Sequence, residues 1–287
     1  MRFALCNEVL QPLAFERQCA LAAALGYDGL EVAPFTLADD PTNFTDAMSA
    51  TWRRVAADHG LAITGLHWLL VAPAGLSIVS DDAALRERTT AVMERLVELC
   101  AALGGRYLVH GSPKQRSVPP GCEPQRAWER ARHALARAAA RAADCGVVYC
   151  IEPLSRNETD LINTVAEGVQ MVEAVASPAF KTMIDCSAAG QAEAEPVHEL
   201  MARWIPTGHI GHVQVNDPNR RGPGQGGLRF EPILRTLAEL ERRGLYTGVV
   251  AVEPFDYVPD GPGAAARSIG YLRGVLEGMD RDGARDG

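Results

Sequence analysis

Short apolar runs alternate along this chain with longer amphipathic or alanine-rich stretches, and the alternation repeats about eight times. The runs lie near residues 3–6, 29–33, 62–67, 107–110, 147–152, 181–185, 211–215 and 248–253. They are rich in Val, Ile and Leu and apolar on both faces for much of their length. Parallel strands read this way when helices cover one side and a core fills the other. The stretches between them, 12–25, 44–58, 82–103, 125–145, 165–176, 196–204, 232–243 and 264–277, are predicted helices. Residues 134–143 contain only Ala, Arg and Leu, the strongest helix formers. Several helices stop at glycine, as in Leu25-Gly26, Leu103-Gly104 and Cys145-Gly146, the usual exit toward a following strand. Strand then helix, eight times, predicts an α/β fold: a closed (β/α)8 barrel or a large doubly wound sheet.

The ends of four runs decide between the two. Val147-Val148-Tyr149-Cys150-Ile151-Glu152, Thr182-Met183-Ile184-Asp185, His212-Val213-Gln214 and Val249-Val250-Ala251-Val252-Glu253 each finish on a side chain that can bind a metal through oxygen. The polar ends are 33, 29 and 39 residues apart, each about one strand, one helix and two loops. On neighbouring strands of a barrel all four would meet at the C-terminal rim, where such barrels carry their chemistry. An open sheet would instead concentrate ligands at one switch point. Three carboxylates and an amide at one place repel one another without a cation, so the pattern predicts a divalent metal held by Glu152, Asp185, Gln214 and Glu253. One Glu-Pro pair alone reads more readily as a strand-end acid capping a helix or pairing with an Arg. Two of them, Glu152-Pro153 and Glu253-Pro254, flanking Asp185 and Gln214 in the same phase, favour a site, because proline ends the strand and fixes the acid at its tip. Period-two alternation places His212, Gln214 and Asn216 on one face, with His212 a layer deeper. Gln214 is therefore read as the ligand and His212 as a polar member of the interior; a shifted register would exchange them.

Composition narrows the picture. The 287 residues, 47% apolar, suit one large domain, here residues 1–278 as the barrel, with 279–287 expected as a frayed, charged tail. A net charge of −8 speaks against nucleic acid as a partner. Seven dispersed cysteines without a Cys-x-x-Cys pair fit a reducing compartment. The N-terminus turns polar after one strand-length, unlike a signal peptide, and the longest apolar stretch, 66–79, is interrupted by His67, Pro73, Gly75 and Ser77. A cytoplasmic protein with no membrane partner is expected.

The longest strand-to-helix loops, 72–81, 111–123 and 216–230, fall on the same rim and are natural walls for a pocket. Their basic residues Lys114, Arg116, Arg220 and Arg221 either hold an anionic or hydroxyl group of a substrate or are solvated loop charges. His67, Trp68 and His110 end strands three and four; each lines the pocket or is a satisfied polar group, and Trp68 could stack on a sugar ring. Gly222-Pro223-Gly224-Gln225-Gly226-Gly227 matches G-x-G-x-x-G in form, but its Pro, its long approach from the strand and its place in the seventh unit fit a flexible active-site loop better than a dinucleotide turn. H-E-x-x-H, G-x-S-x-G and Walker A sequences do not occur.

With these residues in place the chain resembles the xylose isomerase-like barrel superfamily, and within it the D-tagatose/D-allulose 3-epimerases and hydroxypyruvate isomerases. The likeness is architectural over nearly the whole chain and most specific from Glu152 to Glu253. Glu152-Pro-Leu-Ser-Arg-Asn-Glu158, followed by Leu161-Ile-Asn-Thr164, is similar to the epimerase segment with the first metal-ligand Glu and a substrate-contacting Glu six residues on. Asp185 and Glu253 match further ligands, and Arg220 a substrate-contacting Arg. Two departures stand out. Gln214 occupies a position that is His in the ketose epimerases and Gln in hydroxypyruvate isomerases, and Ala188 replaces a substrate-contacting His. The resemblance also implies a homo-oligomer, a dimer or tetramer.

The expected chemistry follows from the site. A Mn²⁺ ion, or alternatively Mg²⁺ or Co²⁺, with four protein ligands leaves room for a carbonyl and an adjacent hydroxyl of the substrate. It would stabilise the enediolate formed on loss of the α-proton. Glu152 and Glu253 would remove and return that proton. The reading is a metal-dependent ketose or aldose isomerase or epimerase, with Glu158, Arg220, His67, Trp68, His110 and Lys114 toward the substrate. Its alternatives are a hydroxypyruvate isomerase-like enzyme on a small hydroxy-keto acid and a sugar-binding barrel that lost turnover. An endonuclease IV-type phosphodiesterase is disfavoured, since it needs a His-rich trinuclear zinc site and a basic DNA face.

Overall fold

The computed structural model describes residues 1–283 and is a closed barrel of eight parallel strands in chain order. The strands are β1 (Phe3–Cys6), β2 (Gly29–Val32), β3 (Ala62–Leu66), β4 (Tyr107–His110), β5 (Val148–Ile151), β6 (Phe180–Asp185), β7 (Ile210–Val215) and β8 (Val250–Val252), and β8 pairs with β1 to close the ring. Around it run α1 (Phe15–Leu25), α2 (Asp46–Asp58), α3 (Ala83–Ala102), α4 (Pro124–Cys145), α5 (Val165–Val175), α6 (Cys186–Ala192), α7 (Val197–Trp204), α8 (Phe230–Arg242) and α9 (Gly261–Gly283). The closed form, rather than the open sheet, agrees with the polar strand ends. The expected tail is helical as far as Gly283, because α9 continues past residue 277, and residues 284–287 lie outside the described residues.

Helix ends follow the glycine signals: α1 and α4 close on Gly26 and Gly146 in left-handed conformation, with φ of 89° and 68°. The main core lies between strands and helices. Inside the ring the apolar cluster is small, comprising Tyr107, Val109, Cys150 and Met183. Polar side chains share that interior, with Glu31, His67, His212 and Gln214 all buried. No helix among the described residues is long and apolar enough to cross a membrane. All seven cysteines are free.

Candidate active site

Cys150 and Met183 face the barrel interior, so Glu152 and Asp185, two residues further along, share that face. The rim thereby gathers Glu152, Asp185 and Glu253, with one oxygen of each within 4.8 Å of the others and all three buried. Gln214 is the cross-strand partner of Asp185 and is fully buried. Above them opens a cavity of about 520 Å³ whose walls include Trp68, Lys114, Glu158, Arg220, Ala188 and Phe255.

Burial, then the charges of Glu253 and Asp185, pushes the Glu152 carboxyl well above the usual carboxylate range. Burial likewise lifts Asp185 to about 7. It lifts Glu253 to about 8 against the opposing hydrogen bond from His67. Three acids that resist ionisation together are the setting that a divalent cation relieves.

Each acid is held differently. The Asp185 side chain caps α6, where Oδ1 accepts from Ala188 N at 2.7 Å and Oδ2 from Asn216 Nδ2 at 2.7 Å. Asn216 is itself held by Ser187 N and donates to the Glu253 carbonyl at 3.0 Å. Glu253 Oε1 lies 2.8 Å from His67 Nδ1, and His67 Nε2 lies 2.8 Å from Glu8 Oε2. Burial alone would lower the His67 pKa, but Glu8 and Glu253 raise it well above its usual value. Glu253 Oε2 and Gln214 Oε1 remain buried without a partner. Glu253 in the cluster with Glu152 and Asp185, and Gln214 on the strand partner of Asp185, offer oxygen donors of the kind that a divalent ion takes.

Of the residues expected toward a substrate, Trp68, Lys114, Glu158 and Arg220 line the cavity, whereas His67 and His110 do not. His67 is spent behind Glu253. His110 points the other way: on β4 it is Val109 that faces the interior, and the His110 ring bonds the Tyr149 hydroxyl at 2.8 Å in the outer layer. His212 sits below Gln214, with Nε2 2.8 Å from Glu31 Oε2 and its ring stacked on Tyr107 at 4.0 Å between centroids.

The walls are built with care. Glu158 Oε2 accepts from Ser155 Oγ at 2.8 Å. The Trp68 ring meets Phe255 edge-on at 5.8 Å, and the Arg220 guanidinium lies 5.0 Å from the Phe255 ring centre. Trp68, Ser112 and Arg220 have φ of 50°, 37° and 69°, a conformation that non-glycine residues adopt where surrounding structure imposes it. The glycine-rich loop, expected to be flexible, is tied down by Asp217, which accepts from Gly227 N at 3.0 Å. Arg116 is fully buried, with no protein hydrogen bond to its guanidinium, and its charge acts on Glu152 and Glu158.

Sequence reasoning missed Glu8 and Glu31. Glu31 carried a signal, as the one charged residue in the apolar run Gly29-Leu30-Glu31-Val32-Ala33.

A closed barrel with an acid cluster under a rim cavity is the arrangement in which barrels of this class carry their active sites. Residues 19–275 match the family described as "Xylose isomerase-like TIM barrel", and the chain belongs to it. It is 31% identical over 238 residues to a D-psicose 3-epimerase of Agrobacterium fabrum, covering 81% of this chain and 76% of that protein. A D-psicose 3-epimerase of Ruminiclostridium cellulolyticum is 29% identical over 264 residues, covering 90% and 83%. The crystal structure of a D-psicose 3-epimerase in the presence of D-fructose superposes with a TM-score of 0.77 at 25% identity, over 96% of this chain and 99% of that one. The chain is accordingly an enzyme of the isomerase and epimerase kind.

Proposed function

We propose that the protein is a divalent-metal-dependent epimerase of ketoses, moving a proton at the carbon next to the carbonyl. The observation that carries this reading is the pair Glu152 and Glu253, both buried, converging with Asp185 at the base of an open cavity. Epimerisation needs a base on one face of a carbon and an acid on the other, and Glu152 and Glu253, two carboxyls facing one cavity, are suited to those roles. Glu152, Asp185, Gln214 and Glu253 would hold the ion. When bound, it would supply positive charge to the carbonyl and hydroxyl oxygens of the substrate, where enediolate charge develops. Glu158 and Arg220 would bind substrate hydroxyls, and Trp68 and Phe255 would exclude water and pack the apolar face of the sugar. The names of the relatives support ketoses as the substrate class.

Gln214, with Ala188 on the wall, favours a second reading on the same chemistry, an isomerase of a small hydroxy-keto acid. Lys114 and Arg220 would then face the substrate carboxylate. Incubation of Mn²⁺-loaded enzyme in D₂O with ketoses, aldoses and hydroxypyruvate separates the two. Deuterium at C3 of a ketose is the expected result, and no exchange with any substrate would sink both readings. Glu253→Gln is expected to lower turnover by at least about 10³-fold while keeping the native circular dichroism.

A further inference from the structure

Beneath the cavity the barrel interior holds an acid for which the proposed reaction has no use. Glu31 on β2 is fully buried, and its Oε1 accepts from Gln214 Nε2 at 2.7 Å. Its Oε2 accepts from the Tyr107 hydroxyl at 2.6 Å and lies 2.8 Å from His212 Nε2. Tyr107 is braced in turn by Thr64 Oγ1 at 3.0 Å. The carboxylate is therefore held on one side by a tyrosine and a histidine and presents its other oxygen to the glutamine, with the Cys6 thiol 3.7 Å from the same oxygen.

We propose that Glu31 is a positioning residue that fixes the amide of Gln214, so that a neutral glutamine can act as the third metal ligand. The inference rests on the metal-dependent part of the proposed function. A glutamine amide has two ends of nearly equal shape, one a donor and one an acceptor, and only the oxygen can face a cation. A histidine at the same place would instead offer a ring nitrogen, its tautomer set by the partner of the other nitrogen. An acceptor placed against Nε2 removes it for glutamine: turning the amide over would set Oε1 against a carboxylate oxygen. What remains is the buried, unpartnered Gln214 Oε1, on the residue paired with Asp185 in the sheet. Partners behind a ligand commonly matter to metal affinity by 10–100-fold, and here they decide which atom is the ligand.

The test is Mn²⁺ binding to the metal-free, full-length protein, followed by calorimetry and by the electron paramagnetic resonance of the bound ion. Glu31→Gln keeps the shape but offers Gln214 either a donor or an acceptor. It is expected to bind Mn²⁺ about 10–100-fold more weakly, with an altered spectrum. Tyr107→Phe removes one hydrogen bond to Glu31 Oε2, leaving His212 beside that oxygen and the contact of Oε1 with Gln214 in place, so its Mn²⁺ affinity should stay close to wild type. Wild-type affinity in Glu31→Gln, or equal losses in both variants, would overturn the proposal, the latter by showing general damage to the interior. Should Glu31→Gln not fold, a crystal structure of the Mn²⁺-loaded wild type decides. Gln214 Oε1 on the ion with Nε2 on Glu31 supports the clamp, and a reversed or uninvolved amide overturns it. A wild type that binds no Mn²⁺ also overturns it. A protein that binds Mn²⁺ in this way yet exchanges no substrate proton overturns the epimerase reading alone.

Discussion

Around the acid cluster, side chains tend to have one polar atom engaged by the scaffold and another left open. Glu253 gives Oε1 to His67 and keeps Oε2 free, and Gln214 gives Nε2 to Glu31 and keeps Oε1 free. An orientation set in this way costs nothing further when a ligand arrives, which is how a site is pre-organised. The cost falls on the supporting residues, since the buried His67 ring bridges two buried acids. Truncating it to His67→Ala strands Glu8 and Glu253 together. The expected loss is about 3–5 kcal/mol of unfolding free energy, measured by urea denaturation of the metal-free protein. Loss of activity with unchanged stability would mean that His67 does not hold the pair.

At the scale of elements, the period of two along each strand decides which residues reach the site. It carries Cys150 to Glu152 and Met183 to Asp185 on the inner face, and it turns His110 outward between Val109 and Gly111. The phase of β5, β6, β7 and β8 was legible because each run ends on a polar residue. The phase of β4 was not, because a histidine at a strand end suits either face. Gly111 shows how closely the elements meet: a Cβ there would come within 2.2 Å of Glu152 Oε2. Gly111→Ala should therefore displace the Glu152 carboxylate, the movable partner, and leave the barrel intact. About a 100-fold fall in kcat/KM with a native melting curve is expected, as small misplacements of a reacting group commonly cost. The short helix α6 also lay outside the sequence reading, which placed a single helix after β6. Its N-cap is the Asp185 side chain, so the same residue starts a helix and faces the site.

For the whole molecule, the acid cluster links metal, protons and stability. Asp185 and Glu253, raised to about 7 and about 8, bind protons more tightly in the folded protein than in the unfolded chain. Their contribution to the metal-free protein is therefore full below the ordinary carboxylate pKa and is lost as pH rises toward about 8. A cation must displace the same protons, so Mn²⁺ affinity should climb between pH 6 and 8, by roughly tenfold per unit for each proton displaced, and then level off. Chelation at pH 8 should lower the melting temperature by about 5 °C or more relative to protein with metal at 100 times its Kd, equivalent to about 2.7 kcal/mol. A flat pH profile by calorimetry would place the metal elsewhere. The sequence by itself determined the eightfold strand–helix order, the closed barrel and the strand ends that bring Glu152, Asp185 and Glu253 together. Those depend on local periodicity and on the rule that neighbouring parallel strands present the same end. Only the tertiary structure decided that Glu31 meets Gln214 and that Glu8 and Glu253 share His67. These contacts cross the barrel between residues 183, 59 and 186 positions apart, a distance over which no local pattern carries information.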